Sequence, residues 1–444
     1  MMDSLPYRND AAIVMRRLSR SIPTTKGIMG IATCDKGLPA MMMALAGTPD
    51  KPTIIMPGGV TLAVEDGEDT AKIQSIGSRF AQNEVTLEYA QDMGCRACAS
   101  PGGGCQFLGT AGTSQVIAES LGMTLPHAAL APSGTNIWID TGRRSALALK
   151  NLVDNNIKTS EILTDDAFEN SMIVHAACGG STNLILHLPA IAHAIKRKMM
   201  KVDDWTRINK MTPRIVDVLP NGPVGFPTSV FFSAGGVPEV MLKLRNEGLL
   251  NLSVKTASGM SLEENLDWWE QSEKRHFVRK RLLDNKNIDP DDVVHDLAGS
   301  KRKGMTSTVT FPMGNIAPEG SVVKSTAIDK SVIDEDGVYR KTGPARIFIS
   351  ESDAINAVKD TGPDKINAGD IMVIACGGPK GSGMQEVAQI TIALKYLSYG
   401  KDVALITDGR FSGVSTGACI GHIGPEALDG GPIGKLLEND LIEI

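Results

Sequence analysis

The stretch Gly27-Ile28-Met29-Gly30-Ile31-Ala32-Thr33 is short and uncharged, and it runs directly into Cys34-Asp35-Lys36-Gly37. A short apolar run with such a break after it reads as a buried strand. Leu38 to Ala46 continues with helical character, and Pro52 to Met56 is a second buried strand closed by Pro57-Gly58-Gly59. Short buried strands alternating with longer helices predict an α/β domain with a mainly parallel sheet. Ligands of such sheets bind outside the carboxyl ends of the strands, which is where Cys34 stands. A thiolate, a carboxylate and an amine in consecutive positions suit a ligand set better than a core segment.

Outward from there, Gly94 to Thr113 (GCRACASPGGGCQFLGTAGT) holds Cys95, Cys98 and Cys105, three of the seven cysteines, with three glycines just before the last. A helix is predicted over Gly109 to Leu121. A thiolate on a glycine-rich turn before a helix is stabilised by the helix dipole and by free backbone N–H groups, and glycine lets the backbone approach a bulky group. Cys95-x-x-Cys98 alone also fits a redox pair or half a zinc site, and any cysteine fits plain packing. No second CxxC or HxxxH completes a four-ligand zinc set.

The 444 residues exceed what one core sustains, so two or more domains are expected. The chain is 42% apolar and 22% charged with net charge −6, an ordinary globular balance that points to no nucleic-acid partner. Aromatics at 4% argue against a base-stacking surface. An apolar stretch long enough for a membrane span and a signal peptide are both absent from the reading, and seven cysteines without a secretion signal imply a reducing, cytoplasmic setting.

Helical spacing covers Thr70 to Ala90, with a break expected near Gly77, and Thr159 to Ala194, interrupted by Ala177-Cys178-Gly179-Gly180-Ser181-Thr182-Asn183. That turn suits oxyanion or hydroxyl binding, or a tight contact between helices. Composition changes near residue 310, which divides the chain into an N-terminal α/β domain, 1–312, and a C-terminal β-rich, barrel-like swivel domain, 313–444. In the latter, Asp370 to Cys376 and Asp402 to Thr407 read as strands, each followed by a glycine-rich loop: Gly377 to Glu386 and Asp408 to Gly417. The first lacks the Gly-Lys-Ser/Thr ending of a P-loop. Glu386 is expected at a helix start, and Ser412 stands close to Arg410. Both loops also read as simple tight turns.

Together these segments resemble the dihydroxy-acid, 6-phosphogluconate and sugar-acid dehydratase family over nearly the whole chain. The resemblance rests on Thr33 to Pro39, Gly104-Cys105 with Glu119 to Pro126, Gly179 to Asn183, Gly314 to Pro318, Gly383 to Glu386 and Asp408 to Gly417. Ser133 to Trp138 and Gly413 to Cys419 look most like the xylonate branch. The resemblance implies a hydro-lyase that takes water from a sugar acid, an aldonate such as D-xylonate, and gives a 2-keto-3-deoxy acid. It implies that Cys34 and Cys105 ligate an iron–sulfur cluster, 2Fe–2S or 4Fe–4S, and that Asp35, Lys36 as a carbamate, and Glu386 hold Mg²⁺. Ser412 as base and Lys36 form the catalytic set. Ser181, Thr182 and Arg410 are the substrate-binding candidates. Asp35 and Lys36 are expected to face Glu386 and Ser412 across a cleft. A small-molecule substrate, no membrane partner, and a homodimer or homotetramer complete what is implied.

The family uses a third cluster cysteine and a further Mg²⁺ carboxylate upstream of the segment matched by Ser4-Leu5-Pro6, and more chain after the strand matched by Asp440 to Ile444. The sequence therefore reads as clipped at both ends. Alternatives carried forward are an inactive dehydratase fragment, a dihydroxy-acid dehydratase of branched-chain amino-acid synthesis, and a zinc or redox module built on Cys95 and Cys98.

Overall fold

The computed structural model describes residues 3–62, 64, 67–97, 100–359, 362, 365–413 and 415–444. The chain divides into two compact units. Arg8–Ile73 and Cys95–Ser307 form one; the chain up to Tyr7, Gln74–Gly94 and Thr308–Ile444 form the other.

In the first unit, β1 (Ile28–Ala32) and β2 (Thr53–Pro57) pair in parallel, Ile28 opposite Thr53 and Ala32 opposite Pro57. Every residue of β2 is buried, as expected of a parallel strand covered on both faces. The Gly37–Ala46 helix packs on β1, and Gly30 is where they touch: a Cβ there would lie 2.6 Å from Met41 Cγ. The Thr110–Ser120 and Asp165–Cys178 helices pack together and are buried along almost their whole length. Thr164 caps the second by accepting from Ala167 N at 3.2 Å, Asp165 and Asp166 fill its first turn, and Gly179 ends it at φ 63°. A hydroxyl cap, acidic first turn and left-handed glycine stop are the standard terminal signals. The helical run from Thr70 breaks at Ser75 and not at Gly77, which lies inside the Ile76–Ala81 helix; one glycine weakens a helix by only about 1 kcal/mol.

The second unit is built on a curled, mixed seven-stranded sheet in the order β11-β5-β6-β8-β10-β4-β3. Its strands are β3 (Val309–Thr310), β4 (Gly320–Lys324), β5 (Thr342–Phe348), β6 (Ile371–Ile374), β8 (Ala404–Thr407), β10 (Ala418–Gly424) and β11 (Leu441–Glu443). The middle, β5-β6-β8-β10, is parallel, and the outer pairings are antiparallel. The Glu351–Lys359 and Gln389–Lys395 helices make the crossovers between parallel strands that this pairing requires. Ile371, Val373, Ala404, Ile406 and Ile420 share one core. Ile333 and Tyr339 form an isolated antiparallel bridge. A separate two-residue pair, β7 (Glu386–Val387) with β9 (Arg410–Phe411), joins the two glycine-rich loops in parallel. Among the described residues, no helix is long and apolar enough to cross a membrane.

Candidate functional site

Cys34 stands just beyond the end of β1, after Thr33, and is exposed. Its Sγ donates to Asp35 Oδ1 at 3.1 Å, and the other Asp35 oxygen meets Lys36 Nζ at 2.5 Å. Desolvation first, and then Asp35, push the Cys34 thiol up, so the proton stays on sulfur in this arrangement. Lys36 is 4% exposed although it opens the Gly37–Ala46 helix. The three residues that the sequence singles out are thus already one interacting cluster at a strand end.

Cys105 reaches the same turn from another direction. Gly58 N donates to Ala32 O, and a Cβ on Gly58 would sit 1.7 Å from Thr33 Oγ1, next to Cys34. Gly59 O accepts from Gly104 N at 2.7 Å, and Thr61 N donates to Gly104 O. Cys34 and Cys105 therefore each stand one residue from a contact with the Gly58-Gly59 turn. A Cβ at Gly103 would come 2.5 Å from Ser133 Oγ, and its φ is 83°, so this close approach needs glycine. Gln106, 1% exposed, fixes the segment after Cys105 by donating to Leu62 O and accepting from Thr70 N. Cys95 ends the Leu87–Cys95 helix. Cys98 lies outside the described residues.

The Gly179 to Asn183 turn is packed against the Thr110–Ser120 helix. Ser181 N donates to Thr113 Oγ1 at 3.0 Å, Ser181 Oγ bonds Thr110 Oγ1 at 2.9 Å, and Asn183 Nδ2 donates to Thr110 Oγ1 at 2.8 Å. Gly180 is required, because a Cβ would lie 2.6 Å from His175 Cδ2. The Thr182 hydroxyl is buried and has no hydrogen-bond partner among the described residues.

In the other unit, β6 and β8 are parallel neighbours, so both glycine-rich loops leave the same end of the sheet. Asp408, 1% exposed, ties them: it accepts from Cys376 N, from Gly377 N at 2.8 Å and from Ala427 N at 2.8 Å. The amides of Lys380 and Gly381 donate to Glu426, so the first loop cradles its own carboxylate. Glu386 does not start a helix. It lies in β7, because Arg410 N donates to Gln385 O and Arg410 Nε to Met384 O, which draws the segment into a ladder. The next helix begins at Gln389, and the carboxylate at its N-terminus is Glu351, which accepts from Ala388 and Ile390 N. Glu386 Oε2 instead pairs with the Arg410 guanidinium at 2.7 Å, where Arg410 is fully buried. Ser412 follows two residues after Arg410, its carbonyl accepting from Ser415 N. Sequence reasoning missed Asp408, Glu426, Thr110 and Gln106 as the residues that shape these loops. An acidic residue ending a buried strand was the available signal for Asp408.

Family models described as dihydroxy-acid/6-phosphogluconate dehydratase N-terminal and C-terminal match residues 1–265 and 292–444. The D-xylonate dehydratases YagF and YjhG of Escherichia coli (strain K12) are 60% and 61% identical over 444 residues, all of this chain and 67% of each relative. A dihydroxy-acid dehydratase of Picrophilus torridus is 38% identical over 426 residues, 94% of this chain and 70% of that protein. The chain belongs to the dihydroxy-acid/6-phosphogluconate dehydratase family.

Proposed function

We propose that the protein is a hydro-lyase that removes water from a sugar acid, an aldonate of the D-xylonate type, to give a 2-keto-3-deoxy acid. The observation that carries this reading is the gradient of identity: 60% and 61% to D-xylonate dehydratases over 444 residues, against 38% to a dihydroxy-acid dehydratase.

Two thiols flanking one turn, with a carboxylate and a buried lysine beside one of them, fit soft iron and a hard cation together. Among the described residues, no three His, Cys, Asp or Glu side chains gather to hold a metal by themselves. Cys34 and Cys105 would accordingly supply part of the ligand set of an iron–sulfur cluster. Asp35, Lys36 as a carbamate, and Glu386 would hold Mg²⁺. When bound, these groups supply Lewis acidity at the leaving 3-hydroxyl and neutralise charge at the substrate carboxylate. Thiol ligands require a reducing compartment, which supports a cytoplasmic location.

Ser412 Oγ takes the proton from C2. A serine hydroxyl is a weak base and needs neighbouring positive charge to favour its anion; Arg410 stands two residues before it in sequence. The C2–H electron pair forms the C2=C3 bond as the C3–O bond breaks. The hydroxyl leaves as water with the proton that Ser412 took from C2, which returns Ser412 to its starting state, and the enol becomes the ketone. The Thr182 hydroxyl, without a partner among the described residues, supports a role in holding a substrate hydroxyl, while Ser181, bonded to Thr110, shapes the turn.

After anaerobic reconstitution, 2-keto acid formation from D-xylonate should far exceed that from a branched-chain dihydroxy acid. Ser412→Ala should lower kcat by about 10²–10⁴-fold with iron, sulfide and Mg²⁺ contents unchanged. Retained dehydration in the variant would show that another base is used, and preference for the branched-chain acid would overturn the substrate class.

A further inference from the structure

Consecutive backbone N–H groups from His127 to Leu130 all end on two side chains of the Thr110–Ser120 helix. Glu119 accepts from His127 at 2.6 Å, Ala128 at 3.2 Å and Ala129 at 2.8 Å, and Gln115 Oε1 accepts from Leu130 at 3.0 Å. His127 at φ 58° and Leu130 at φ 65° are left-handed residues that carry a Cβ, a conformation held by its surroundings. Gln115 also donates from Nε2 to Gly59 O at 2.8 Å. That same carbonyl accepts from Gly104 N, one residue before Cys105, while Gly58 packs on Thr33, one residue before Cys34. Gln115 is fully buried, and at this place a side chain must both donate and accept. An apolar residue of equal size would fill the space and leave Leu130 N and one lone pair of Gly59 O without partners.

We infer that Gln115 is a positioning residue for Cys34 and Cys105, acting through Gly59, the residue beside which both thiol-bearing segments are fastened. This rests on the reading that the two thiols hold one iron–sulfur cluster. The amide sets where the turn lies between them, and hence whether both sulfurs reach one group; iron–thiolate geometry tolerates little displacement.

Two variants test this. Gln115→Met keeps the length and loses both hydrogen bonds. Gln115→Glu keeps the acceptor for Leu130 and loses the donor to Gly59 when ionised. Iron and sulfide per chain are measured after anaerobic reconstitution, followed by iron release to a chelator at two pH values. In the metal-free chain, capture of Cys34 together with Cys105 by phenylarsine oxide is mapped by peptide mass, and near-ultraviolet circular dichroism reports the fold. With the fold retained, both variants should release iron about tenfold faster, the scale of one neutral hydrogen bond, and should form less of the Cys34–Cys105 arsenic adduct. Lowering the pH should protonate the carboxyl in Gln115→Glu, restore a donor to Gly59 and slow the release; Gln115→Met should not respond. If Gln115→Met does not fold, the pH response of Gln115→Glu decides. Variants that match the wild type in release and adduct yield overturn the inference alone. A wild-type chain that takes up neither iron and sulfide nor arsenic removes the cluster reading and the inference with it.

Discussion

Glu119 should make the stability of its unit fall as pH rises. Its carboxylate is buried against three backbone N–H groups. Desolvation pushes the carboxyl up from 4.5 to about 7, against the opposing pull of Ala129, His127 and Ala128 N–H and of the Lys274 charge. The folded value lies above the unfolded one, so the native state holds the proton more tightly. Its contribution is whole below pH 4.5 and is lost as pH rises through about 7. Integrated between pH 5 and pH 7.5, the loss is about 2 kcal/mol. Histidines work the other way: burial lowers His175 to about 4 and His127 well below its ordinary value, so they favour folding as pH rises toward neutrality. The Glu119→Gln variant retains those histidines, and the difference between wild type and variant isolates the carboxyl. In the variant an NH₂ must face at least one N–H donor, a cost of roughly 1–3 kcal/mol. Trp138, Trp205, Trp268 and Trp269 all belong to this unit, so urea unfolding followed by tryptophan fluorescence reads it directly. The wild-type advantage should shrink by about 2 kcal/mol from pH 5 to pH 7.5. The window stops below the Lys274 ammonium, which burial lowers to about 8. An advantage that stays flat across the window would refute the assignment of a raised carboxyl to Glu119.

Gly180→Ala places a Cβ 2.6 Å from His175 Cδ2 and 2.7 Å from Thr113 Cγ2; the overpacking should cost about 1–3 kcal/mol in the same urea assay, and an unchanged midpoint would show that the helices part easily. Asp408→Asn should put an NH₂ against at least one of the N–H groups of Cys376, Gly377 and Ala427. Amide exchange across 376–386 should then quicken by about tenfold, the scale of a net hydrogen bond, and turnover should fall with it. Unchanged exchange would show that the loops hold without the carboxylate.

Much of the candidate site is legible locally because its signals are local. An uncharged run before Cys34-Asp35-Lys36 shows the strand, and a helix after Gly109 follows from spacing alone. Glu386 is misplaced by the same local reasoning: a carboxylate three residues before Gln389-Ile390-Thr391-Ile392 looks like a first-turn acid. Its actual state is set by Arg410, 24 residues away in sequence, whose backbone and guanidinium take hold of Met384, Gln385 and Glu386. Gln115 and Glu119 look like ordinary polar positions of a helix, and only tertiary structure reveals that His127 to Leu130 hang from them. The same holds for Gln74–Gly94, whose helical pattern carries no sign that it groups with residues beyond 308.

The buried carboxylates of both units show how this fold uses acidic side chains. Asp408, Glu426 and Glu351 spend their oxygens on backbone N–H groups, as does Glu119 in the other unit. Drawing any of them onto a cation would unfasten a turn. Glu239 has side-chain partners, but two arginines and complete burial close it off from a ligand. The contacts described for Asp35 are to Cys34 Sγ and Lys36 Nζ, and that of Glu386 is to the Arg410 guanidinium. Each stands at a strand end and remains partly accessible, with 27% and 15% of its side chain exposed. That partial exposure is what a cation reaching either carboxylate would need. Partial exposure at a strand end, and not freedom from other contacts, is what supports the proposal that Asp35 and Glu386 serve a cation.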